Sequence, residues 1–283
     1  MTGAGHGILS RRQMVAGTLA ASMMAAVAPL RAAGAAGDTV EAAVIEELVT
    51  ANRILAELEI VDAFGHISRR HPSRPANFLM SRARAPGLIE PADIMEFNAA
   101  GEPVGAQGRS PYLERYIHAA IYAARPDVNS VIHDHSEGVI PFSVSDQPLR
   151  PVSHTGGILG TEVPVWEIRT KFGDKTNMLV STLEMGRDLA QKLDKGPAIL
   201  MRGHGAVLAG PSIRLAVSLA NALERQAIAL AAARQLGTVN YLSPGEAASM
   251  GAVLSPKAPV DSMGRAWEVW CKQVGRPYTP KGY

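Results

Sequence analysis

Three histidines and one glutamate carry the residue types and spacing for metal chemistry. In Val131-Ile132-His133-Asp134-His135-Ser136, two histidines stand two apart at the end of an apolar run. Residues i and i+2 of a strand face the same side, so two imidazoles would stand together as half of a divalent-cation site. A second apolar run, Ala198-Ile199-Leu200-Met201, leads into Arg202-Gly203-His204-Gly205. Glycines on both sides allow a sharp turn and a close approach, so His204 is a candidate third imidazole. The fourth candidate is Glu114, nineteen residues before His133. A helix that returns through a turn into a strand brings its start back near the strand's end. Glu114 can then serve as ligand or as acid–base group, and both readings are open. The plain alternative is a carboxylate that stabilises a helix N-terminus.

The elements needed to position these groups follow from period and punctuation. Apolar residues three or four apart predict a helix over 41–62, ended by Gly65. Phe78-Leu79-Met80 reads as a strand, and residues 87–105 as strands with tight turns. Ser110 as cap and Pro111 in the first turn predict a helix through Ala124, closed by Arg125-Pro126-Asp127. Residues 128–133 form a buried strand, and a helix begins after His135. Strands are expected at 178–180 and 198–201, with a helix over 185–193 between them. A long helix over 211–236 is closed by Gly237. From Leu254 onward the prolines predict an extended arm carrying Trp267 and Trp270. This alternation predicts one α/β domain over residues 36–283.

The N-terminus reads differently. Arg11-Arg12 precede an apolar stretch from Val15 to Leu30 and a run of small residues. That order is expected of a twin-arginine export signal over residues 1–35, cut after Ala35, and hence of a periplasmic or secreted protein. No later stretch is long and apolar enough to span a membrane. The 283 residues carry 28 Lys plus Arg against 26 Asp plus Glu, a formal charge of +2. Loss of Arg11, Arg12 and Arg31 with the signal leaves 25 basic residues against 26 acidic ones, a net −1. That balance excludes the basic excess of a nucleic-acid binder. With 47% hydrophobic residues the chain is not of disordered type, and the single Cys271 excludes an intrachain disulfide or a CxxC site.

Ser110-Pro-Tyr-Leu-Glu114-Arg-Tyr-Ile-His118, Arg125-Pro126-Asp127 and Val131-Ile-His133-Asp-His135-Ser136 together closely resemble the class II aldolase/adducin family. The resemblance spans about residues 44–241. It implies an α/β/α three-layer fold with a mixed, mainly antiparallel sheet flanked by helices. It implies one divalent metal per subunit, Mn²⁺ or Zn²⁺ with Fe²⁺ also suited, held by His133, His135 and His204 with Glu114 at the metal. It also implies a homotetramer with active sites near subunit interfaces.

The chain departs from the sugar-phosphate aldolases of that family where they cradle phosphate. Gly65-His66-Ile67-Ser68 and Met80-Ser81-Arg82-Ala83-Arg84-Ala85-Pro86 stand in place of the usual loops. With Leu149-Arg-Pro-Val-Ser-His154 and Leu200-Met-Arg-Gly-His204-Gly205, they resemble a subgroup typified by 3-hydroxy-2-methylpyridine-4,5-dicarboxylate 4-decarboxylase and dihydroxyphthalate decarboxylases. The resemblance therefore implies a metal-dependent lyase that decarboxylates an ortho-hydroxy aromatic or heteroaromatic acid. An aldolase or epimerase for an unphosphorylated hydroxy-carbonyl compound and an iron-dependent oxygenase are the alternatives. The complete Glu114–His133–His135–His204 set weighs against a non-catalytic, adducin-like module. Candidate substrate contacts are His66, Ser68, Arg82, Arg109 and His154, with Arg84 beside Arg82. His118, one turn after Glu114, is read as support, and His71 as a loop residue without a role.

Overall fold

The structure, a computed structural model, describes the backbone of residues 30–252 and 263–280, and side chains from Glu41 onward. The export signal falls almost wholly outside the described residues. The chain divides into two units, residues 1–39 and 40–283. No described helix is long and apolar enough to cross a membrane.

The second unit is built on one eight-stranded sheet. Its strands are β1 (His66–Arg70), β2 (Phe78–Ser81), β3 (Ile94–Phe97), β4 (Pro103–Val104), β5 (Ser130–Asp134), β6 (Val165–Trp166), β7 (Ala198–Met201) and β8 (Gly205–Gly210). Their order is β4-β3-β2-β1-β5-β8-β7-β6. Every neighbouring pair is antiparallel except β6 with β7.

Alternation along the central strands makes two cores. Ile132, Leu200 and Leu208 face one side, where they pack with α1 (Leu30–Glu57), α6 (Ile213–Leu236) and α8 (Gly264–Gln273). Val131, Ile199 and Val207 face the other side and pack with α2 (Arg115–Ala124) and α5 (Leu183–Leu193). This is the expected three-layer α/β/α arrangement, and it fixes which face His133 occupies. His133 shares parity with Val131, so its ring lies on the α2 side.

Three local expectations need correction. The helix expected from Ser110 begins at Arg115, with Glu114 at its cap and making no capping bond. Residues before it are held elsewhere: the Ser110 carbonyl accepts the Ala83 N–H, and the Tyr112 hydroxyl donates to the Arg84 carbonyl. Residues 178–180 form no strand, because their backbone groups turn to the site side chains described below. The C-terminal arm is not wholly extended. Trp267, Trp270 and Cys271 recur at helical spacing, lie buried on α8, and join the core. Beyond that helix the tail is tied down by Arg214, which donates to the Thr279 carbonyl and pairs with Glu47 at 2.8 Å. His71 lies in a loop, as expected, and is buried there. Its Nδ1 accepts the backbone N–H groups of Ser73 and Arg74, and its Nε2 lies 3.3 Å from Glu41.

Candidate metal centre

Glu114, His133, His135 and His204 converge where β5 ends. Each offers one ligand atom, and the four atoms lie within 4.8 Å of one another. His135 Nε2 is 3.1 Å from His204 Nε2. Glu114 Oε2 is 3.3 Å from His133 Nε2 and 3.6 Å from His204 Nε2. Ligand atoms about 2.0–2.1 Å from a tetrahedral zinc would stand about 3.4 Å apart, so these spacings suit a common cation.

Each imidazole is turned by the partner on its far nitrogen. His133, fully buried, donates from Nδ1 to the Ala206 carbonyl at 3.0 Å. His204 donates from Nδ1 to the Met178 carbonyl at 3.0 Å. His135 donates from Nδ1 to Asp62 Oδ2 at 3.0 Å, while Asp62 Oδ1 accepts the backbone N–H groups of Phe64 and Gly65. With the proton on Nδ1 in all three neutral rings, each Nε2 presents a lone pair inward. The lone pairs of His135 and His204 then face each other, and His133 Nε2 is a buried polar atom without a hydrogen-bond partner. A buried acceptor of that kind is costly unless something fills it. The donor set fits a divalent cation, with its outer partners already in place.

The charge arrangement agrees. Burial works against ionisation of Glu114, but His133, His204 and the Val180 N–H, which donates to Oε1 at 2.9 Å, hold it below the usual carboxylate range. Burial alone would push His133 down, yet Glu114 outweighs it and the imidazole is raised. His204 is pushed down to about 4 by burial and by neighbouring His133. Glu114 is therefore an anion aimed at the imidazoles.

The backbone geometry that delivers His204 depends on glycine. Gly203 has φ +64, and a Cβ at Gly205 would lie 1.9 Å from the Asp134 carbonyl. This close approach lets β8 start against the end of β5, which places His204 beside His135. Met178 is the unexpected contributor, at φ +66, a conformation uncommon outside glycine. One short segment thus orients two of the four groups, His204 through Met178 and Glu114 through Val180. Met178→Val should clash with that backbone and weaken zinc affinity about 10–100-fold, the usual scale for an outer partner, whereas Met178→Gly should stay close to the parent. Competition titration against a chromophoric chelator reads the difference. Equal affinity of the valine variant would show that this carbonyl does not set the site.

The candidate substrate residues divide. His66 is the cross-strand partner of His133, their ring centroids 5.2 Å apart. Ser68 is on the same face, but its hydroxyl is fully buried and bonded to His118 and Tyr122. Arg82 and Arg84 grip Asp93 from two sides at 2.6 and 2.7 Å, and their hold outweighs burial and keeps its carboxyl at about 2. The pair connects to His66 through Tyr112, whose ring is 4.6 Å from His66 and whose hydroxyl meets the Arg84 backbone. Arg109 donates to the carbonyls of Ala92, Ile94 and Ala106, a loop-fastening pattern. His154 is exposed at the start of a turn, with no described contact to the cluster. Asp62, Met178 and Val180 had no local sequence signal. Each acts on a ligand more than twenty residues away.

Comparison with known proteins places the geometry in context. Residues 46–230 match the Class II Aldolase and Adducin N-terminal domain. The chain is 30% identical over 256 residues to Decarboxylase tropJ of Talaromyces stipitatus, covering 81% of this chain and 93% of that one. It is 29% identical over 187 residues to the 3,4-dihydroxyphthalate decarboxylase of Arthrobacter keyseri, covering 61% and 71%. The fold matches L-fuculose 1-phosphate aldolase from Glaciozyma antarctica with a TM-score of 0.69 at 24% identity, over 86% of this chain and 94% of that one.

Proposed function

The chain belongs to the class II aldolase and adducin family, and from that premise we propose a metal-dependent decarboxylase acting on an ortho-hydroxy aromatic or heteroaromatic carboxylate. The observation that carries the reading is the convergence of Glu114, His133, His135 and His204, whose four ligand atoms lie within 4.8 Å of one another. Preference for decarboxylation over sugar-phosphate cleavage rests on two further points. The similarity to the tropJ decarboxylase covers most of both chains. The stretches that resemble the aldolases' phosphate loops carry instead His66, whose ring is buried, and Arg82 and Arg84, which are linked to Asp93.

His133, His135 and His204 would hold the cation, with Glu114 as fourth ligand or as proton carrier beside it. A divalent metal bound there supplies Lewis-acid stabilisation of the negative charge that develops when the C–C bond to the carboxylate breaks. The protein's own groups handle the proton. Glu114 is ionised at rest, so its Oε2 can take the proton of the substrate hydroxyl. The same oxygen can then deliver that proton to the ring carbon that bears the carboxylate, so that the electron pair of the breaking C–C bond passes to the ortho oxygen as CO₂ leaves, and the reaction balances without an outside acid. The Val180 N–H holds Oε1 meanwhile and keeps Oε2 directed at the site. Burial of His133 and Glu114 limits water access, so the ring carbon meets this proton rather than one from solvent. Arg82 and Arg84 are the cationic groups that would receive a second acidic substituent.

The test is a panel of ortho-hydroxy aromatic carboxylates incubated with Mn²⁺-loaded protein, with released CO₂ measured. Metal-dependent release from at least one is the expected result. No release, together with cleavage of an unphosphorylated hydroxy-ketone, would replace this reading with the aldolase one. Oxygen uptake without CO₂ release would point to the oxygenase.

A further inference from the structure

His66 ends a buried chain of hydrogen bonds that runs away from the metal centre into the α2 layer. His66 Nδ1 is 2.8 Å from His118 Nε2, His118 Nδ1 is 2.6 Å from Ser68 Oγ, and Ser68 Oγ is 2.7 Å from the Tyr122 hydroxyl. The match is geometric. His66 and Ser68 stand two apart on one face of β1, and His118 and Tyr122 stand four apart on one face of α2. All four side chains are buried, and the one further hydrogen-bonding contact described for them is the Val131 backbone at the Tyr122 oxygen, which offers that hydroxyl no acceptor.

The direction of such a chain is set by its protons. Each contact needs one proton, so the two nitrogens that meet between His66 and His118 cannot both carry one. At the far end Tyr122 keeps its phenol proton, since burial raises its pKa, and Ser68 Oγ is the acceptor in reach. Ser68 must then give its own proton to His118 Nδ1. His118 therefore carries its proton on Nε2 and donates it to His66 Nδ1. Running the chain the other way would leave the buried Tyr122 hydroxyl donating to nothing, the costlier arrangement.

We propose that Tyr122, Ser68 and His118 fix His66 in the tautomer with its proton on Nε2, so that His66 presents an N–H donor to an oxygen of the substrate beside His133. The substrate part rests on the reading of this centre as a decarboxylase site; the tautomer does not. His66 Nε2 has no partner among the described residues, and its ring lies between those of Tyr112 and His133. The acceptor it suits is a carboxylate, phenolate or carbonyl oxygen of the compound bound at the cation. His118, Ser68 and Tyr122 are positioning residues, because they act through His66.

The test reads protons directly. Full-length protein labelled with ¹⁵N-histidine and loaded with diamagnetic Zn²⁺ is examined by long-range ¹H–¹⁵N correlation, with signals assigned from the His66→Asn and His118→Gln spectra. Both His66 and His118 should show the Nε2–H pattern. In Ser68→Ala, His118 loses its donor, and both rings should populate two tautomers. The same variant should lose about tenfold in kcat with zinc content unchanged, and Ser68→Thr should restore the parent pattern. A proton on Nδ1 of His66 in the parent protein overturns the inference, whatever the substrate is. An unchanged tautomer and kcat in Ser68→Ala overturns the role of the chain. Absence of CO₂ release from every compound, with the Nε2–H pattern intact, would count against the proposed reaction alone.

Discussion

His133→Ala should reduce bound metal from about one ion per subunit to trace levels and take catalysis down to background. His133 is the ligand candidate most deeply set in the sheet, paired across β1 and β8 and fully buried. Its loss removes one of four donors. Structural zinc sites in small peptides bind with about 10–16 kcal/mol, so a quarter of that is roughly 2.5–4 kcal/mol, or about 70–900-fold in affinity. The substitution also leaves Glu114 as a buried anion without its nearest imidazole. Because that could unfold the chain, His204→Ala is the companion variant. His204 lies on the turn between β7 and β8, outside the sheet ladder, and its removal should spare the fold while giving the same metal loss. Metal content by elemental analysis, with thermal melts of both metal-free variants, separates the effects. Full occupancy in His204→Ala would remove that residue from the site.

The parts of this centre that could be read from the sequence are those written in short strings. His133-x-His135 is a strand-face signal, and Gly203-His204-Gly205 announces a turn after a strand. Both glycines proved necessary, one for its left-handed backbone and one for the contact with Asp134. Glu114 was recognisable by spacing, but not its means of reaching the site. The helix starts later than Ser110-Pro111 suggests because Tyr112 is spent on the Arg84 backbone. Partners of the ligands were illegible for a physical reason. Asp62 meets His135 and Val180 meets Glu114 across 73 and 66 residues, and no local period encodes such pairs. β1 escaped notice because His66-Ile-Ser-Arg-Arg lacks an apolar alternation. Its polar face is satisfied by burial against α2, and Arg70 reaches the carbonyls of Tyr122, Arg125 and Val128. The Trp267–Trp270–Cys271 spacing was a helix signal hidden by flanking prolines, none of which enters α8.

Glu114→Gln should separate the two roles that the geometry gives this residue. The amide keeps the shape of the carboxylate, and its oxygen can still accept the Val180 N–H. Its NH₂ group then points at His133 and His204, where the parent has an anionic oxygen. A donor facing two imidazole lone pairs competes with a cation, and the site also loses its negative charge. Metal affinity should fall by at least about 100-fold, beyond the usual cost of an outer partner. Excess Mn²⁺ can refill the site by mass action, and the decisive measurement is kcat under that saturation. If Glu114 carries the proton from hydroxyl to carbon, kcat should remain about 10²–10⁴-fold down in the refilled variant, the usual cost of losing a general acid–base group. Recovery to within tenfold would reduce Glu114 to a ligand and pass the proton to another donor near the cation. His66 is the next candidate, because the chain behind it already directs an N–H toward the same place.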